Sequence, residues 1–303
     1  MGRTSKDKRD IYYRKAKEEG YRARSAYKLL QLDQEFDLLK NATNVVDLCA
    51  APGSWSQVVS QRLRELGKHE ATIVAVDLQE IAPIEGVTIL KGDITSRPTV
   101  EAILREFESG AVDVVLSDGA PDVTGLHDLD EYIQSELILS ALNVATFLLS
   151  KGGTFVAKVF RGKDTCGVFS RLSAFFENVT IAKPRSSRNS SIEAFFVCRG
   201  YSKPSFWEPT LSLHQSPCAE VFTGSKIHEE LSSQERRNVI MPFVSCGDLS
   251  CYDADMAYDI DKDSLESTTA TKSLPPVQAP IHVAYESALA RKRAPKTHHQ
   301  NLL

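Results

Sequence analysis

The six cysteines, Cys49, Cys166, Cys198, Cys218, Cys246 and Cys251, form no C-x-x-C pair, and none has a histidine at metal-ligand spacing. This excludes a zinc module and predicts a reduced, metal-free protein of the cytoplasm. Hydrophobic runs long enough to cross a bilayer are also missing. The most apolar stretch, Leu137 to Leu149, is too short and is interrupted by Ser140, Asn143 and Thr146. The first residues carry no apolar signal-peptide core, so no membrane role is expected. Nor does one sign of charge dominate. A formal net charge of -4 neither demands nor excludes a polyanionic partner.

The charge that is present is unevenly placed. Residues 1–28 hold ten Lys or Arg against four acids, so this segment is +6 and the remainder -10. Beyond it, short apolar runs alternate with longer amphipathic stretches, the pattern of strands and crossover helices. Strands are expected at 44–49, 71–77, 87–91, 112–117 and 154–159, with weaker candidates at 178–183 and 194–199. The last two are joined by a short polar loop with no room for a helix and must pair antiparallel. The expected fold class is therefore α/β and Rossmann-like: a mostly parallel seven-stranded sheet with a terminal antiparallel hairpin and helices on both faces. Four regions follow, with 1–40 a basic N-terminal segment and 41–203 the α/β domain. Residues 204–261 form an extension that packs on the core or on a partner, and 262–303, rich in Ser, Thr, Pro and Lys, form a disordered tail.

The first strand runs into Cys49-Ala50-Ala51-Pro52-Gly53-Ser54-Trp55, a tight turn opening a helix where α/β sheets bind ligands. The three-glycine dinucleotide fingerprint is absent, which disfavours a pyrophosphate ligand and hence a dehydrogenase. S-adenosylmethionine instead presents a sulfonium, an ammonium, a carboxylate and ribose hydroxyls, which call for carboxylate acceptors and one close-approach glycine. Gly53 supplies the glycine. Asp77 ends the second strand where an acid accepts from ribose hydroxyls, and Asp93 closes the third, placed to accept from the adenine amino group. Taken alone, Asp77 reads as a cap. Trp55 reads equally as a core aromatic or as a flank of the cofactor.

Four further charged residues sit at expected strand ends or on a helix near the same edge: Lys28, Asp118, Lys158 and Glu193. Lys158 interrupts an apolar strand and must face water or be paired, and Asp118 opens the turn Asp118-Gly119-Ala120-Pro121. Each alone is most simply a structural ion pair or cap. Together, Arg24 to Leu29, Asp47 to Gln57, Asp118 to Pro121, Lys158, and Lys183 to Arg188 ahead of Glu193 resemble the FtsJ/RrmJ family of RNA 2′-O-ribose methyltransferases over about the first two hundred residues. The start Met1 to Asp10, the run Asp122 to Gly125 and the segment Pro242 to Asp248 resemble its eukaryotic tRNA anticodon-loop subgroup.

The resemblance implies a class I S-adenosylmethionine-dependent tRNA 2′-O-ribose methyltransferase acting at position 32, 34 or both. The catalytic residues would be Lys28, Asp118, Lys158 and Glu193, and the cofactor contacts Gly53, Trp55, Asp77, Asp93 and Asp118. It also implies a separate helper protein, WD-repeat or armadillo-like, that selects the nucleotide. Ser54 and Gly119 stand where bacterial relatives usually carry Gly and Met, so rRNA substrate choice does not transfer. A ribose hydroxyl is a poor nucleophile, so the enzyme must align it and stabilise its developing charge, which a lysine ammonium does. Whether Lys158 titrates depends on burial and Lys28 against Asp118 and Glu193. For RNA, the candidates are Arg22, Arg24, Lys28, Arg185 and Arg188, with Tyr12, Tyr13, Tyr21 and Tyr27 interleaved on the basic segment. Two other readings stand beside this one: a methyltransferase for the ribose next to an mRNA cap, and a non-catalytic RNA-binding protein on the same fold.

Overall fold

A computed structural model describes residues 10–107, 111–121, 124–205, 241–248, 250, 252–256 and 258. Two short helices, α1 (Ile11–Glu18) and α2 (Ala26–Phe36), precede the first strand. The main sequence of elements is β1 (Asn44–Leu48), α3 (Ser54–Glu65), β2 (Thr72–Asp77), β3 (Thr88–Lys91), α4 (Arg97–Arg105), β4 (Val112–Ser117), α5 (His127–Leu148), β5 (Leu149–Phe160), α6 (Thr165–Ser173), β6 (Phe176–Pro184) and β7 (Glu193–Tyr201). A last strand, β8 (Phe243–Cys246), follows. The sheet order is β3-β2-β1-β4-β5-β7-β6-β8. Strands β1 to β5 pair in parallel, and β7 inserts antiparallel between β5 and β6.

This order reverses direction between β1 and β4, the switch point at whose carboxyl edge open α/β sheets bind ligands. The interior strands are buried on both faces, as their continuous runs of Val, Ile and Leu require. One core lies under α4, α5 and α6, and the other under α2 and α3. All seven expected strands are present. The eighth, β8, adds in parallel to β6 and comes from the segment expected to pack on the core or a partner. Cys246 and Ala254 enter the second core, Tyr12 donates to the Tyr252 carbonyl at 2.8 Å, and Arg14 donates to the Tyr258 carbonyl at 3.2 Å. Most of 204–261 and all of the 262–303 tail lie outside the described residues, as do Asp122 and Val123.

The N-terminal tyrosines also differ from expectation. Tyr12, Tyr21 and Tyr27 are buried in the second core, with Tyr27 against both other rings at 5.2 and 5.9 Å between centroids. Covered rings cannot stack on bases, so these three hold α1 and α2 to the body. Among the described residues no helix is long and apolar enough to cross a membrane.

Candidate active site

β1 ends at Leu48 and the chain turns through Cys49 to Gly53, closed by Gly53 N–H donating to the Ala50 carbonyl at 2.6 Å. Gly53 has φ of +100°, and a Cβ there would lie 2.6 Å from Ile84 Cδ1 and 2.9 Å from Arg22 Nη1. Only glycine fits. Asp77, at the end of β2, accepts from Ala51 N–H at 2.8 Å through Oδ2 and from Gln79 N–H at 2.7 Å through Oδ1. Asp77 thus braces the turn after β1 and its own following turn, at the carboxyl edge of the sheet. Asp93 Oδ1 accepts from the Thr95 N–H and hydroxyl at 2.8 and 2.7 Å in an exposed turn beyond β3. Gly119 lies against Cys49 and Leu137, a Cβ there coming 2.9 Å from Cys49 Sγ.

Trp55 takes the core-aromatic course that its sequence reading allowed. Its side chain is buried, packs 5.6 Å from the Phe195 ring centroid, and donates Nε1–H to the Ser25 carbonyl at 2.9 Å. At the first turn of α3 the indole faces α2 rather than the ligand edge, so position 55 can offer a cofactor only its backbone. Beneath the turn lies Asp47, fully buried in β1. Its Oδ2 accepts from Ser56 at 2.6 Å, while its Oδ1 has no hydrogen-bond partner among the described residues. Burial pushes this carboxyl up to about 7, opposed by the Ser56 hydrogen bond and reinforced by Asp118 and Asp77.

The four charged residues, scattered from position 28 to 193, converge. Lys158 stands opposite Phe195 in the antiparallel β5–β7 ladder, and two residues along β7 on the same face is Glu193. Lys158 Nζ lies 2.8 Å from Asp118 Oδ1 and 3.9 Å from Glu193 Oε2. It also donates to the Asp118 backbone carbonyl at 2.8 Å. Lys28, in the first turn of α2, reaches both Glu193 oxygens, at 2.7 and 2.8 Å, with its ammonium 5.8 Å from the Phe195 ring centroid. Burial drives Lys158 toward the neutral amine, but Asp118 and Glu193 outweigh it and hold the group above the ordinary lysine value. Burial likewise opposes ionisation of Glu193, yet Lys28 and Lys158 keep it below the usual glutamate value. The balance left open by the sequence falls on the charged form of Lys158.

Supporting residues escaped the sequence reading. Gln134, buried on α5, donates to the carbonyls of Gly119 at 3.1 Å and Lys158 at 2.8 Å and so ties Asp118's turn to Lys158's strand. Ser187 donates to Glu193 Oε1 at 2.8 Å. An amide inside the apolar face of α5 was the available signal for Gln134. Nothing in the spacing pointed to Ser187.

The RNA candidates surround this centre but are internally engaged. Asp10 pairs with Arg24 and, at 3.2 Å, with Arg188. Arg24 also donates to the Ser186 carbonyl. Arg185 is 3.5 Å from Asp253, and Arg22 turns inward onto backbone carbonyls. Arg188 is the most exposed of the three ion-paired arginines, at 45% of its side chain against 21% for Arg24 and 26% for Arg185. Two unexpected cations sit nearby. Exposed Arg161, just past β5, stacks 5.3 Å from the half-exposed Phe243 ring, and Lys183 is lowered by burial first and by the Arg161 charge second.

A doubly covered α/β sheet with acids at its switch point and a Lys-Asp-Lys-Glu cluster beside them defines a methyltransferase of the Rossmann-like class. The chain belongs to the FtsJ-like methyltransferase family, whose model matches residues 21–201. It is 53% identical over 293 residues to the human tRNA (cytidine(32)/guanosine(34)-2′-O)-methyltransferase, covering 97% of this chain and 86% of that one. The Schizosaccharomyces pombe protein of the same name is 48% identical over 300 residues, covering 97% and 99%. The Drosophila melanogaster tRNA (guanosine(34)-2′-O)-methyltransferase is 47% identical over 299 residues, covering 96% and 88%. Among solved structures, a ribosomal RNA methyltransferase from Plasmodium falciparum superposes with a TM-score of 0.54 at 26% identity, covering 60% of this chain and 98% of that one.

Proposed function

We propose that this enzyme transfers a methyl group from S-adenosylmethionine to ribose 2′-hydroxyls of the tRNA anticodon loop, at positions 32 and 34. The observation that carries the reading is the convergence of Lys28, Asp118, Lys158 and Glu193 at the carboxyl edge beside the acids of the switch point. Near full-length similarity to enzymes named for those two nucleotides supports the substrate.

The donor set fits the cofactor. Asp77 and Asp93 accept hydrogen bonds, Gly53 permits close approach, and no phosphate-binding glycine pattern competes. Bound there, S-adenosylmethionine supplies a methyl already activated by its sulfonium. The protein must therefore place the hydroxyl and stabilise charge on its oxygen. Lys158, held protonated, donates to that oxygen and acts as a fixed positive charge rather than a resting base. Asp118 and Glu193 aim the ammonium, and Lys28 shares Glu193 from the substrate side. As the oxygen gains its new bond its proton becomes acidic and would pass to water, leaving S-adenosylhomocysteine as the other product, so no neutral amine is needed to remove it.

Arg188, Arg185, Arg24, Arg161 and Lys183 supply cations for the RNA. In this reading they contact phosphates when RNA exchanges for the present internal partners. Residues 1–40 form the RNA-contacting segment. A separate helper protein, WD-repeat or armadillo-like, selects between the two nucleotides and docks on the extension after residue 203, and the complex works in the cytoplasm.

Methyl transfer from labelled cofactor to tRNA, to capped mRNA and to no RNA tests the reading. It expects label in tRNA alone, mapped to positions 32 and 34 and directed to one of them by the helper. Label at the cap-proximal ribose, or RNA binding with no transfer to any RNA when cell extract supplies helpers, would overturn it.

A further inference from the structure

By sequence position Arg22 belongs with the cations that meet RNA, but its surroundings are those of a brace. The guanidinium donates from Nη1 to the carbonyls of Pro52 and Ala82, each at 2.9 Å, and from Nη2 to the carbonyl of Pro83 at 2.9 Å. Pro52 lies in the turn after β1, and Ala82 and Pro83 lie in the loop between β2 and β3, just beyond Asp77. One planar fork thus ties together the two loops that carry Gly53 and Asp77. No carboxylate shares in this arrangement: three carbonyl dipoles take the donors, and burial lowers the group from the ordinary arginine value.

The backbone around Arg22 is held to α3 by the same kind of contact. Arg22 N–H donates to Gln57 Oε1 at 2.9 Å, and Gln57 Nε2 donates back to the Gly20 carbonyl at 3.1 Å. Three residues on, the Ser25 and Ser54 hydroxyls are 2.6 Å apart and Trp55 donates to the Ser25 carbonyl. Ser25 is the residue before α2, whose first turn holds Lys28. The turn expected to meet the cofactor and the segment that delivers Lys28 are therefore one hydrogen-bonded unit, with Arg22 as its charged tie.

We propose that Arg22 is a positioning residue that closes the cofactor turn and transmits its state to Lys28, so that cofactor and RNA binding are energetically coupled. The inference rests on the proposed function. Coupling of this kind is reciprocal: whatever factor the cofactor adds to RNA affinity, RNA adds to cofactor affinity. A lysine cannot substitute, because a point charge does not span three carbonyls on two loops.

The experiment measures binding of S-adenosylhomocysteine and of tRNA, each alone and with the other saturating, to the full chain and to Arg22→Lys, Arg22→Ala and Gln57→Ala. The parent should show mutual enhancement of several-fold. Both Arg22 variants should lose about tenfold or more in cofactor affinity, and their coupling factor should fall toward one. The salt slope of their RNA binding should stay parental, since no phosphate contact is removed. Gln57→Ala keeps the arginine and its fold-holding carbonyl contacts, so it should lose coupling with a smaller loss of cofactor affinity. Cofactor affinity within twofold of parental in folded Arg22→Ala, full rescue by Lys, or a salt slope reduced by about one would overturn the proposal, the last marking a direct phosphate contact. A parent that binds no S-adenosylhomocysteine would overturn the function beneath it.

Discussion

Lys158 touches Asp118 twice, its ammonium 2.8 Å from the carboxylate and 2.8 Å from the same residue's backbone carbonyl. The double contact fixes the ammonium against the end of β4 and makes its charge a property of the folded protein. Because Asp118 and Glu193 hold Lys158 above the ordinary lysine value, it stays protonated through neutrality. Its contribution to stability is complete below the unfolded lysine value of about 10.4 and is lost only as pH rises through the higher folded value.

The single-turnover rate should therefore be nearly flat between pH 7 and 9. A tenfold rise per pH unit would mean that the neutral amine is the active form. Lys158→Ala should lower the rate by about 10²–10³, the usual cost of deleting one stabilising donor. Lys158→Arg should stay folded, because it still neutralises the buried carboxylates, but should remain slow. Parental rates in either variant would refute the role.

Asp47 gives a second pH signature, of opposite form. Its folded value is raised to about 7, while the unfolded carboxyl titrates near 3.9, so the folded state binds the extra proton between them. Stability from this group is present at low pH and declines as pH rises from about 4 to 7. Ser56 donates to it, and Asp77 and Asp118 are the charged neighbours that raise it. Thermal melts across this range should show Asp47→Asn gaining stability over the parent at pH 8 and little at pH 5. An equal difference at both would show that the carboxyl is not titrating there.

Gly53→Ala should destabilise the protein by about 1–2 kcal/mol from the left-handed backbone alone. The added methyl also collides with Ile84 and Arg22, so cofactor binding should be lost beyond what the melting point explains. Calorimetric titration with S-adenosylhomocysteine reads this directly, and near-parental affinity would show that the turn tolerates a side chain.

Arg188→Glu should weaken tRNA binding and reduce the salt slope by about one while sparing cofactor affinity. Arg161→Glu should act likewise, since Arg161 is exposed and has no carboxylate partner among the described residues. Arg24→Glu is a different experiment, since Arg24 braces Asp10 and Ser186, and it should impair folding or turnover as well. RNA affinity unchanged at physiological salt in both Arg188→Glu and Arg161→Glu would reject this path.

Much of the fold was legible because strand and helix periods are local properties. The runs at 45–48 and 112–117 read as strands, and a loop too short for a crossover helix required β6 and β7 to be antiparallel. β8 was not legible as a strand: four residues, Phe243–Cys246, acquire strand geometry only by pairing with β6, some sixty residues earlier in the chain. The four charged residues that cluster were legible from their motifs and strand-end positions. The internal partners of Trp55 and Arg22 were not legible, because a residue type and a position do not say which way a side chain turns.

The amino-acid order by itself determined seven of the strands, the antiparallel hairpin and the identity of the four charged residues, since alternation, turn chemistry and motif spacing act over a few residues at a time. Only the tertiary structure decided that Lys158 keeps its proton and that Arg22 braces two loops. Both depend on distances between groups remote along the chain, and both electrostatic energy and desolvation vary steeply with those distances.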